Sequence, residues 1–484
     1  MRRRHVCSGL ASGWALGSVA HAAAPVSSLS VPDAVYAESD RRHARELIAR
    51  AASGSAAWRL MRELCTGVGA RPAGSPADAR ARAWALQQLS SLGLEQVHAQ
   101  MLPLRIWQRV SESAVLLGPE PRPLVVSALG NSVGTPAAGL EAELVGYPDL
   151  ASLVADHSER ARGRIVFIDQ KTERTRDGRG YGAAVGARVN GAVEAARRGA
   201  LGLAIRSIGT SQVPVAHTGA MRVDLSVPRI PALAVSVSDA EHIAALLGSP
   251  QAPPLRLQMK LQTRSGVDAE TANVIAEWRG TDLAHEVVLI GAHLDSWDVG
   301  EGAQDDGAGV AIVAAAAGLI AAAGERARRT IRVVLFGNEE NGFDGAQAYA
   351  SRYGHVTHQL VAESDFGAGR IGALAVRVQA AALPAAREIG ALLAPLGVDI
   401  PAEGFDKAQP GPDAALLMRR RRWPAAALYQ DGSRYFDVHH TAHDTWAEWA
   451  RQGTAADLDT QVAAWAVLAW LAAQAPVAFG PLEP

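Results

Sequence analysis

The stretch GAHLDSWDVGEGAQDDGAG, residues 291–309, decides the fold and contains the first candidate functional residues. It follows an apolar run at 287–290 that predicts a buried strand, and it leads into an alanine-rich run at 308–323 that predicts a helix. His293 therefore lies just past a strand end, and Asp305 lies at a helix start. Sites of open α/β sheets form beyond the carboxyl ends of the strands. An imidazole and carboxylates gathered there favour a divalent metal ion, with zinc first.

Carboxylates also follow the next predicted strands. The strand that ends at Phe336 is followed by Gly337-Asn338-Glu339-Glu340, and a later strand is followed by Glu363-Ser364-Asp365. A loop near the C-terminus reads FDVHHTAHDT at 436–445. Two histidines and three carboxylates drawn from these places suit a centre of two metal ions roughly 3.5–4 Å apart, bridged by a carboxylate.

Strands and helices alternate from residue 273 onward, which predicts an α/β fold with a mostly parallel, mixed sheet covered by helices. The predicted strands are 273–277, 286–291, 330–337, 359–365 and 425–428. The predicted helices are 306–323, 345–353, 383–396, 413–420 and 455–473. Nearer the N-terminus the pattern predicts helices at 34–38, 42–52, 56–64 and 76–92, followed by strands at 97–106 and 113–117.

Residues 131–265 have a different sequence pattern, because short β-like runs replace the longer α/β units. Strands are predicted at 140–145, 164–168, 202–205 and 230–235, with helices at 189–198 and 239–247. This pattern predicts an inserted β-rich domain with its own small core. The predicted division of the chain is therefore 1–22 as a signal peptide, 23–130 as the first part of the main domain, 131–265 as the insert and 266–484 as the rest.

The N-terminus has the pattern of a secretory signal. A basic start, Met1-Arg2-Arg3-Arg4, precedes a weakly apolar segment at 6–19 and the cleavage-type sequence Ala20-His21-Ala22. We therefore expect a secreted or periplasmic protein, with no membrane span after cleavage. The formal charge of −2 gives no basic surface for nucleic acid. Cys65 is the single cysteine beyond the signal, so no intrachain disulfide is expected.

The motifs together resemble a known family. HLDSWDVG, QDDGAG, NEENG, ESD and HHTAHDT are similar to those of the co-catalytic di-zinc exopeptidases of the secreted aminopeptidase type. GARPAGS, LGNSVGTP, GAVEAARRGA, HTG and VPRIPA extend the resemblance to the carboxypeptidase Q (plasma glutamate carboxypeptidase) group and its bacterial relatives. The resemblance implies a zinc exopeptidase fold, a protease-associated domain as the insert, a peptide substrate, two zinc ions per chain and a homodimer.

Carried over position by position, the resemblance implies a complete set of metal ligands. His293 and Asp365 would bind one zinc ion, Glu340 and His440 would bind the other, and Asp305 would bridge both. The Thr-x-x-Asp-Thr frame that follows His440 favours that histidine as the ligand.

Three further residues receive catalytic roles from the resemblance. Glu339 is similar to the general base, and Asp295 is similar to the carboxylate that orients the metal-binding His293. His439 stands where many relatives have a tyrosine, so it is the candidate hydrogen-bond donor to the oxyanion. Two zinc ions lower the pKa of a water molecule toward neutrality, and Glu339 would take the proton as the water attacks the peptide carbonyl.

Several alternatives stay open at the level of sequence. For Asp306, the roles of helix cap and of functional group are equally well supported. Asp413 is better explained as a helix cap than as a substrate contact. Dipeptidase or carboxypeptidase action is favoured, and aminopeptidase action is the main alternative. A receptor-like protein without catalysis and a single-zinc glutaminyl cyclase are less favoured, because every expected ligand and Glu339 are present.

Overall fold

The computed structural model describes residues 34–118, 120–249 and 253–483. The predicted signal peptide, residues 1–22, lies outside the described residues. The strands of the described part are β1 (Glu95–Leu117), β2 (Arg122–Leu124), β3 (Val126–Ala128), β4 (Leu140–Tyr147), β5 (Ile165–Ile168), β6 (Gly202–Arg206), β7 (Ala232–Val235), β8 (Arg256–Trp278), β9 (Leu283–His293), β10 (Arg329–Phe336), β11 (His358–Glu363), β12 (Ile371–Arg377) and β13 (Ala425–Gln430).

The helices of the described residues precede the first strand, connect many of the strands and follow the last strand. They are α1 (Glu38–Ala52), α2 (Ala57–Glu63), α3 (Pro76–Ser91), α4 (Leu150–Ala155), α5 (Arg179–Ala184), α6 (Gly186–Arg197), α7 (Val237–Leu247), α8 (Ala308–Ala323), α9 (Glu339–Gly342), α10 (Asp344–Arg352), α11 (Leu383–Leu393), α12 (Pro412–Arg421), α13 (Tyr435–Val438), α14 (Trp446–Trp449) and α15 (Ala455–Gln474).

The chain forms two compact units. The first unit consists of Trp107–Val267 together with the short segment Phe436–Thr441. The second unit consists of the described residues up to Ile106, of Asp268–Tyr435 and of the residues from Ala442 onward. The predicted insert, 131–265, falls within the first unit, and its assignment as a protease-associated domain stays a prediction.

The second unit is built on a mixed sheet with the strand order β12-β13-β11-β9-β10-β8. The neighbours β13–β11, β11–β9 and β9–β10 are parallel, whereas β12–β13 and β10–β8 are antiparallel. The predicted α/β architecture with a mixed sheet is therefore confirmed. The parallel strands β9, β10 and β11 have their carboxyl ends at one edge, where the candidate residues follow them.

Side-chain alternation along β9 explains why helices cover both faces of this sheet. Val288 and Ile290 join a large core with α8 and α15, whereas Val287 and Leu289 join a second core with α10 and α12. Successive residues of a strand point to opposite faces, so a continuous apolar run has to be covered on both sides. The run that predicted a buried strand therefore also accounts for the two layers of helices.

The long apolar helical stretch Ala303–Ala323 belongs to the large core. By length and composition it is long enough to cross a membrane, but 83% of its most apolar window is buried inside the protein. Every residue from Val310 to Ala317 is at most 3% exposed. This burial supports the prediction of a core helix.

Several predicted elements differ from the observed ones in their bounds, and some observed elements were not predicted. A single helix, α1, replaces the two expected at 34–38 and 42–52, and the single strand β1 replaces the two expected after residue 97. The strand β12 was not predicted, because its sequence IGALAVR contains glycine and alanine and is weak in the β-branched pattern of strands. Its place is set by antiparallel pairing with β13, which is a long-range interaction.

Within the first unit the strands pair in the order β8-β4-β5-β6-β7-β3, with helices beside them. Strands β4, β5, β6 and β7 run parallel, and β3 is antiparallel to β7. Two apolar cores lie on the two faces of this sheet: one includes Val166 and Ile168, and the other includes Ile165 and Phe167. The predicted strands at 140–145, 164–168, 202–205 and 230–235 all correspond to observed strands, with ends that differ by up to two residues.

His358, at the start of β11, is a buried histidine with a fixed neutral form. Its Nδ1 donates to the carbonyl of Val356 at 2.9 Å, and its Nε2 accepts from the hydroxyl of Tyr349 at 2.8 Å. The ring stacks on Trp423 with a centroid distance of 3.6 Å. Burial lowers the pKa of His358 from 6.5 to about 3.

We expect His358 to make the second unit sensitive to acid. Between about pH 6.5 and pH 3 the unfolded chain binds a proton that the native state excludes, so the free energy of unfolding falls as the pH is lowered through this window. In the His358→Gln variant, the free energy of unfolding should fall less steeply with decreasing pH. Well below pH 6.5 the difference in slope should be about 1.4 kcal/mol per pH unit. Urea unfolding of the zinc-free proteins at pH 7.5, 6 and 5 measures the slopes, and equal slopes would contradict the prediction.

Candidate metal centre

Three parallel strands deliver the candidate residues of the second unit to one place. Phe336 of β10 is paired with His293, the last residue of β9, and Glu363 of β11 is paired with Gly291. Glu339 comes three residues after the end of β10, and His293 is the last residue of β9, so both lie at the carboxyl ends of neighbouring strands. The register explains how residues distant in sequence come together.

His293 is fully buried and has a defined orientation. Its Nδ1 lies 2.9 Å from the carbonyl oxygen of Asp295, and its Nε2 lies 3.0 Å from Oδ1 of Asp305 and 3.6 Å from Oδ1 of Asp365. Because Nδ1 donates to a carbonyl, Nε2 is the nitrogen that can bind a metal ion. Burial acts to lower the pKa of His293, yet the two facing carboxylates raise it well above its usual value.

Asp295 orients His293 by a different atom than the sequence predicts. The ring Nδ1 donates to the main-chain carbonyl of Asp295, while the carboxylate Oδ1 is 3.9 Å from Nδ1. That carboxylate oxygen instead accepts the backbone N–H of Glu339 at 3.1 Å. Asp295 thus contacts both the candidate ligand and the candidate base.

Asp305 and Asp306 occupy an irregular turn that precedes α8. The carboxylate of Asp444 accepts the backbone N–H groups of Gln304 and Asp305, at 2.7 and 3.0 Å, and so fixes the turn. Asp306 Oδ1 accepts the N–H of Gly309, and its Oδ2 accepts the N–H of His293, each at 3.1 Å. Asp306 therefore acts at the start of α8 as a cap, which is one of its two predicted roles.

Glu339 and Glu340 begin the short helix α9. Ligand atoms of Glu340, His293 and Asp305 all lie within 4.8 Å of one another, and all three residues are buried. A second group with the same spacing contains His293, Asp306 and Asp365. Burial raises the pKa of Glu339 well above its usual value, and the neighbouring carboxylates of Asp365 and Glu340 add to the effect.

The donor set of the second unit fits zinc. One imidazole nitrogen faces several carboxylate oxygens in a buried place, which is a combination that zinc binds in proteins. Buried carboxylates repel one another unless a cation is present, and the raised pKa of Asp306 shows the same crowding on top of burial. Of the predicted ligands, the structure brings together His293, Asp305, Glu340 and Asp365 in this unit.

His439 and His440 lie in the segment Phe436–Thr441, which we call the histidine segment and which belongs to the first unit. Its backbone is bound at three points: Thr210 N–H donates to Phe436 O at 2.9 Å, His217 Nδ1 to His439 O at 2.7 Å, and Thr218 N–H to His440 O at 3.0 Å. These contacts fix the segment on the loop that follows β6.

Side chains reinforce the attachment of the histidine segment. Arg174 binds the carboxylate of Asp437 through two nitrogens, at 2.8 and 2.5 Å. The rings of His439 and His440 stack at a centroid distance of 3.6 Å. His440 Nδ1 lies 3.3 Å from the carbonyl oxygen of Thr218, an arrangement that suits donation from Nδ1 and leaves Nε2 for a metal ion.

The sequence did not reveal two groups that support the second unit. Arg71, which was quoted only as part of the motif GARPAGS, is fully buried and donates to the carbonyls of Leu294, Glu301 and Gly302 at 2.6, 2.5 and 3.1 Å. It thereby braces the loop between β9 and Asp305. A buried, turn-flanked arginine has no periodic signal, so only the motif itself could have indicated it.

The second group is a pair of buried acids. Glu363 Oε2 accepts the N–H of Ala414 at 2.9 Å at the start of α12, and the neighbouring Asp413 is completely buried. Burial raises the pKa of both carboxyl groups; the charge of Asp365 adds to the effect on Glu363, and the charge of Glu363 adds to the effect on Asp413. The cap of α12 is Gly411 and not Asp413, so the predicted capping role of Asp413 was wrong.

Comparison with known proteins identifies the family of the chain. The model of peptidase family M28 matches residues 273–465. Carboxypeptidase Q of Bos taurus is 34% identical over 408 residues, which cover 84% of this chain and 83% of that protein.

Solved structures give the same result. The crystal structure of a peptidase M28 precursor from Shewanella amazonensis SB2B is 42% identical, with a TM-score of 0.87 and coverage of 92% of this chain and 99% of that chain. The structure of BSAP, a zinc aminopeptidase from Bacillus subtilis, has a TM-score of 0.58 at 19% identity and covers 84% of this chain and 93% of that chain, which shows a common fold. The chain therefore belongs to peptidase family M28, and it is a zinc metallopeptidase.

Proposed function

We propose that this zinc metallopeptidase is a secreted exopeptidase that hydrolyses dipeptides or short peptides and binds two zinc ions per chain. His293 and Asp365 would hold one ion, Glu340 and His440 would hold the other, and Asp305 would be shared by both. The observation that carries the proposal is the buried convergence of His293, Asp305 and Glu340, whose ligand atoms lie within 4.8 Å of one another next to Glu339.

The residues around this site have separate tasks in the proposed reaction. When bound, the zinc ions supply a water of lowered pKa and stabilise the developing oxyanion. Glu339 takes the proton of the attacking water and passes it to the leaving amine. Burial raises the pKa of Glu339 above that of an ordinary glutamate, which makes it a stronger proton acceptor. His439 donates a hydrogen bond to the oxyanion.

Asp295 positions Glu339 relative to His293. Its carboxylate accepts the Glu339 N–H at 3.1 Å, and its carbonyl accepts from His293 Nδ1 at 2.9 Å. One residue thus fixes the base and a ligand through two different groups. Catalytic groups need such support, because misplacement by about 1 Å costs on the order of 100-fold in rate.

The setting of the enzyme is proposed from sequence patterns and from the family. The signal pattern at 1–22 supports export, the compact first unit supports an inserted protease-associated domain, and the resemblance to carboxypeptidase Q supports a homodimer. Carboxypeptidase or dipeptidase action is proposed ahead of aminopeptidase action for the same resemblance.

End-blocked peptides distinguish these two activities. We expect the purified zinc-loaded protein to hydrolyse Ser-Met and N-acetyl-Ser-Met, and to lose at least about tenfold in kcat/KM on Ser-Met amide, because an anchored carboxylate contributes a charge-assisted interaction. Release of methionine or methioninamide is followed by chromatography. Loss of activity on the N-acetylated peptide alone would contradict carboxypeptidase action and favour an aminopeptidase.

A further inference from the structure

Arg188, on α6 of the first unit, is a buried guanidinium with few partners. The residue is 7% exposed. Its Nη2 donates to the hydroxyl of Tyr181 at 2.7 Å, and its Nη1 lies 3.4 Å from both the Thr218 carbonyl oxygen and His440 Nδ1. Its Nε is buried and has no hydrogen-bond partner in the part of the chain that the structure describes. An arginine has five N–H donors, and only one contact here has the length of a strong hydrogen bond.

Carboxylates or carbonyl oxygens balance the charge of every other arginine that is buried among the described residues. The described part of the chain buries Arg71, Arg188, Arg206, Arg329 and Arg332. Three of them bind carboxylates: Arg206 pairs with Asp169 and Glu241, Arg329 with Glu286, and Arg332 with Glu277. Arg71 donates to three carbonyl oxygens at 3.1 Å or less. Arg188 has neither form of compensation, so no carboxylate of the described residues balances its buried charge.

The surroundings of Arg188 hold the guanidinium in one position. A Cβ at Gly219 would lie 2.5 Å from its central carbon, so only glycine permits this approach of the backbone. The Tyr181 ring lies 5.5 Å from the same carbon and binds the cation through its π face. A guanidinium fixed in this way and left with unused donors is prepared for a planar anion, because it matches a carboxylate with two parallel hydrogen bonds.

We propose that Arg188 binds the free α-carboxylate of the peptide substrate. The proposal rests on the proposed exopeptidase function and makes it more specific. Arg188 Nη1 lies 3.4 Å from Nδ1 of His440, so an anion bound at Arg188 would lie beside this proposed zinc ligand of the histidine segment. When His440 donates from Nδ1 to the Thr218 carbonyl, it cannot accept from Arg188, and Nη1 becomes available to the substrate.

The test compares a free and an amidated C-terminus. Wild-type protein and the variants Arg188→Gln and Arg188→Lys are assayed on N-acetyl-Ser-Met and on its C-terminal amide. For Arg188→Gln we expect kcat/KM to fall about 10- to 100-fold on the acid, mainly through KM, and less than about threefold on the amide. Arg188→Lys should recover part of the loss, because lysine keeps the charge without the planar fork.

The matched control is Arg206→Gln, a buried arginine of the same unit that binds Asp169 and Glu241. We expect this variant to lower the melting temperature and to leave the ratio of activity on acid and amide unchanged. If Arg188→Gln and Arg188→Lys lose activity equally on both peptides, Arg188 has a structural role and the proposal is wrong.

A binding measurement separates this proposal from the proposed function. Zinc-free protein is titrated with N-acetylmethionine and with N-acetylmethioninamide by calorimetry. The acid should bind at least about tenfold more tightly to wild type, and this advantage should vanish in Arg188→Gln. Equal binding of acid and amide to wild type would overturn the proposal. If wild type hydrolyses neither peptide when loaded with zinc, the proposed function fails, and the titration still decides the role of Arg188.

Discussion

Replacement of Glu339 by glutamine is expected to lower kcat by about 1,000-fold while zinc content stays the same. General base catalysis contributes about 100- to 10,000-fold, and glutamine keeps the shape of the side chain without a proton acceptor of suitable basicity. The backbone N–H that Asp295 accepts is retained, so the position of residue 339 should not change. Steady-state assays on N-acetyl-Ser-Met give kcat, and elemental analysis gives zinc per chain.

The control for this substitution is Glu403→Gln, which changes an exposed glutamate of the same unit. It should have wild-type kcat and wild-type zinc content. A Glu339→Gln variant with unchanged kcat would show that the general base is another residue. A variant that has lost zinc would show that Glu339 is a ligand, in which case the division of tasks between Glu339 and Glu340 is incorrect.

The second large effect is expected for Asp305→Asn. As the proposed bridge, Asp305 contributes to both ions, so the variant should bind less than one zinc ion per chain and lose measurable peptide hydrolysis. Loss of tightly bound ligand also lowers stability: a site filled at about 1,000 times its Kd contributes about 4 kcal/mol, and its loss lowers the melting temperature by on the order of 10 °C. Elemental analysis and calorimetry measure the two quantities.

Asp306→Asn provides the matched comparison. Its carboxylate accepts the N–H groups of Gly309 and His293, and the amide oxygen of asparagine can accept one or both of these hydrogen bonds. We therefore expect this variant to keep its zinc ions, with a smaller change in melting temperature than Asp305→Asn. If both variants lose zinc to the same extent, Asp306 is also a ligand and the bridge has to be assigned again.

The candidate residues near β9, β10 and β11 could be predicted because they follow recognisable strands. The apolar run at 287–290 marks β9, and parallel strands bring their carboxyl ends to one edge. The sequence therefore placed His293, Glu340 and Asp365 in the same region without any knowledge of the side-chain geometry. The motifs added the expected division of roles, which stays a prediction.

Other features were not available from local patterns. The carbonyl of Asp295, rather than its carboxylate, faces His293, and this choice depends on the path of a loop braced by Arg71. Likewise, the buried contact between Glu363 and the start of α12 joins residues 51 positions apart. Periodicity reports which face of an element is buried, but it contains no information on which buried polar groups meet.

The attachment of the histidine segment also has a consequence for the order of biosynthesis. His217 and its partner His439 are separated by 222 residues, so this contact of the first unit closes a very long loop. During synthesis the rest of the first unit emerges well before the segment that completes it, and contacts between such distant residues form slowly. The first unit therefore cannot acquire its full set of hydrogen bonds until translation has passed residue 441. The first unit is therefore completed only late in the synthesis of the chain.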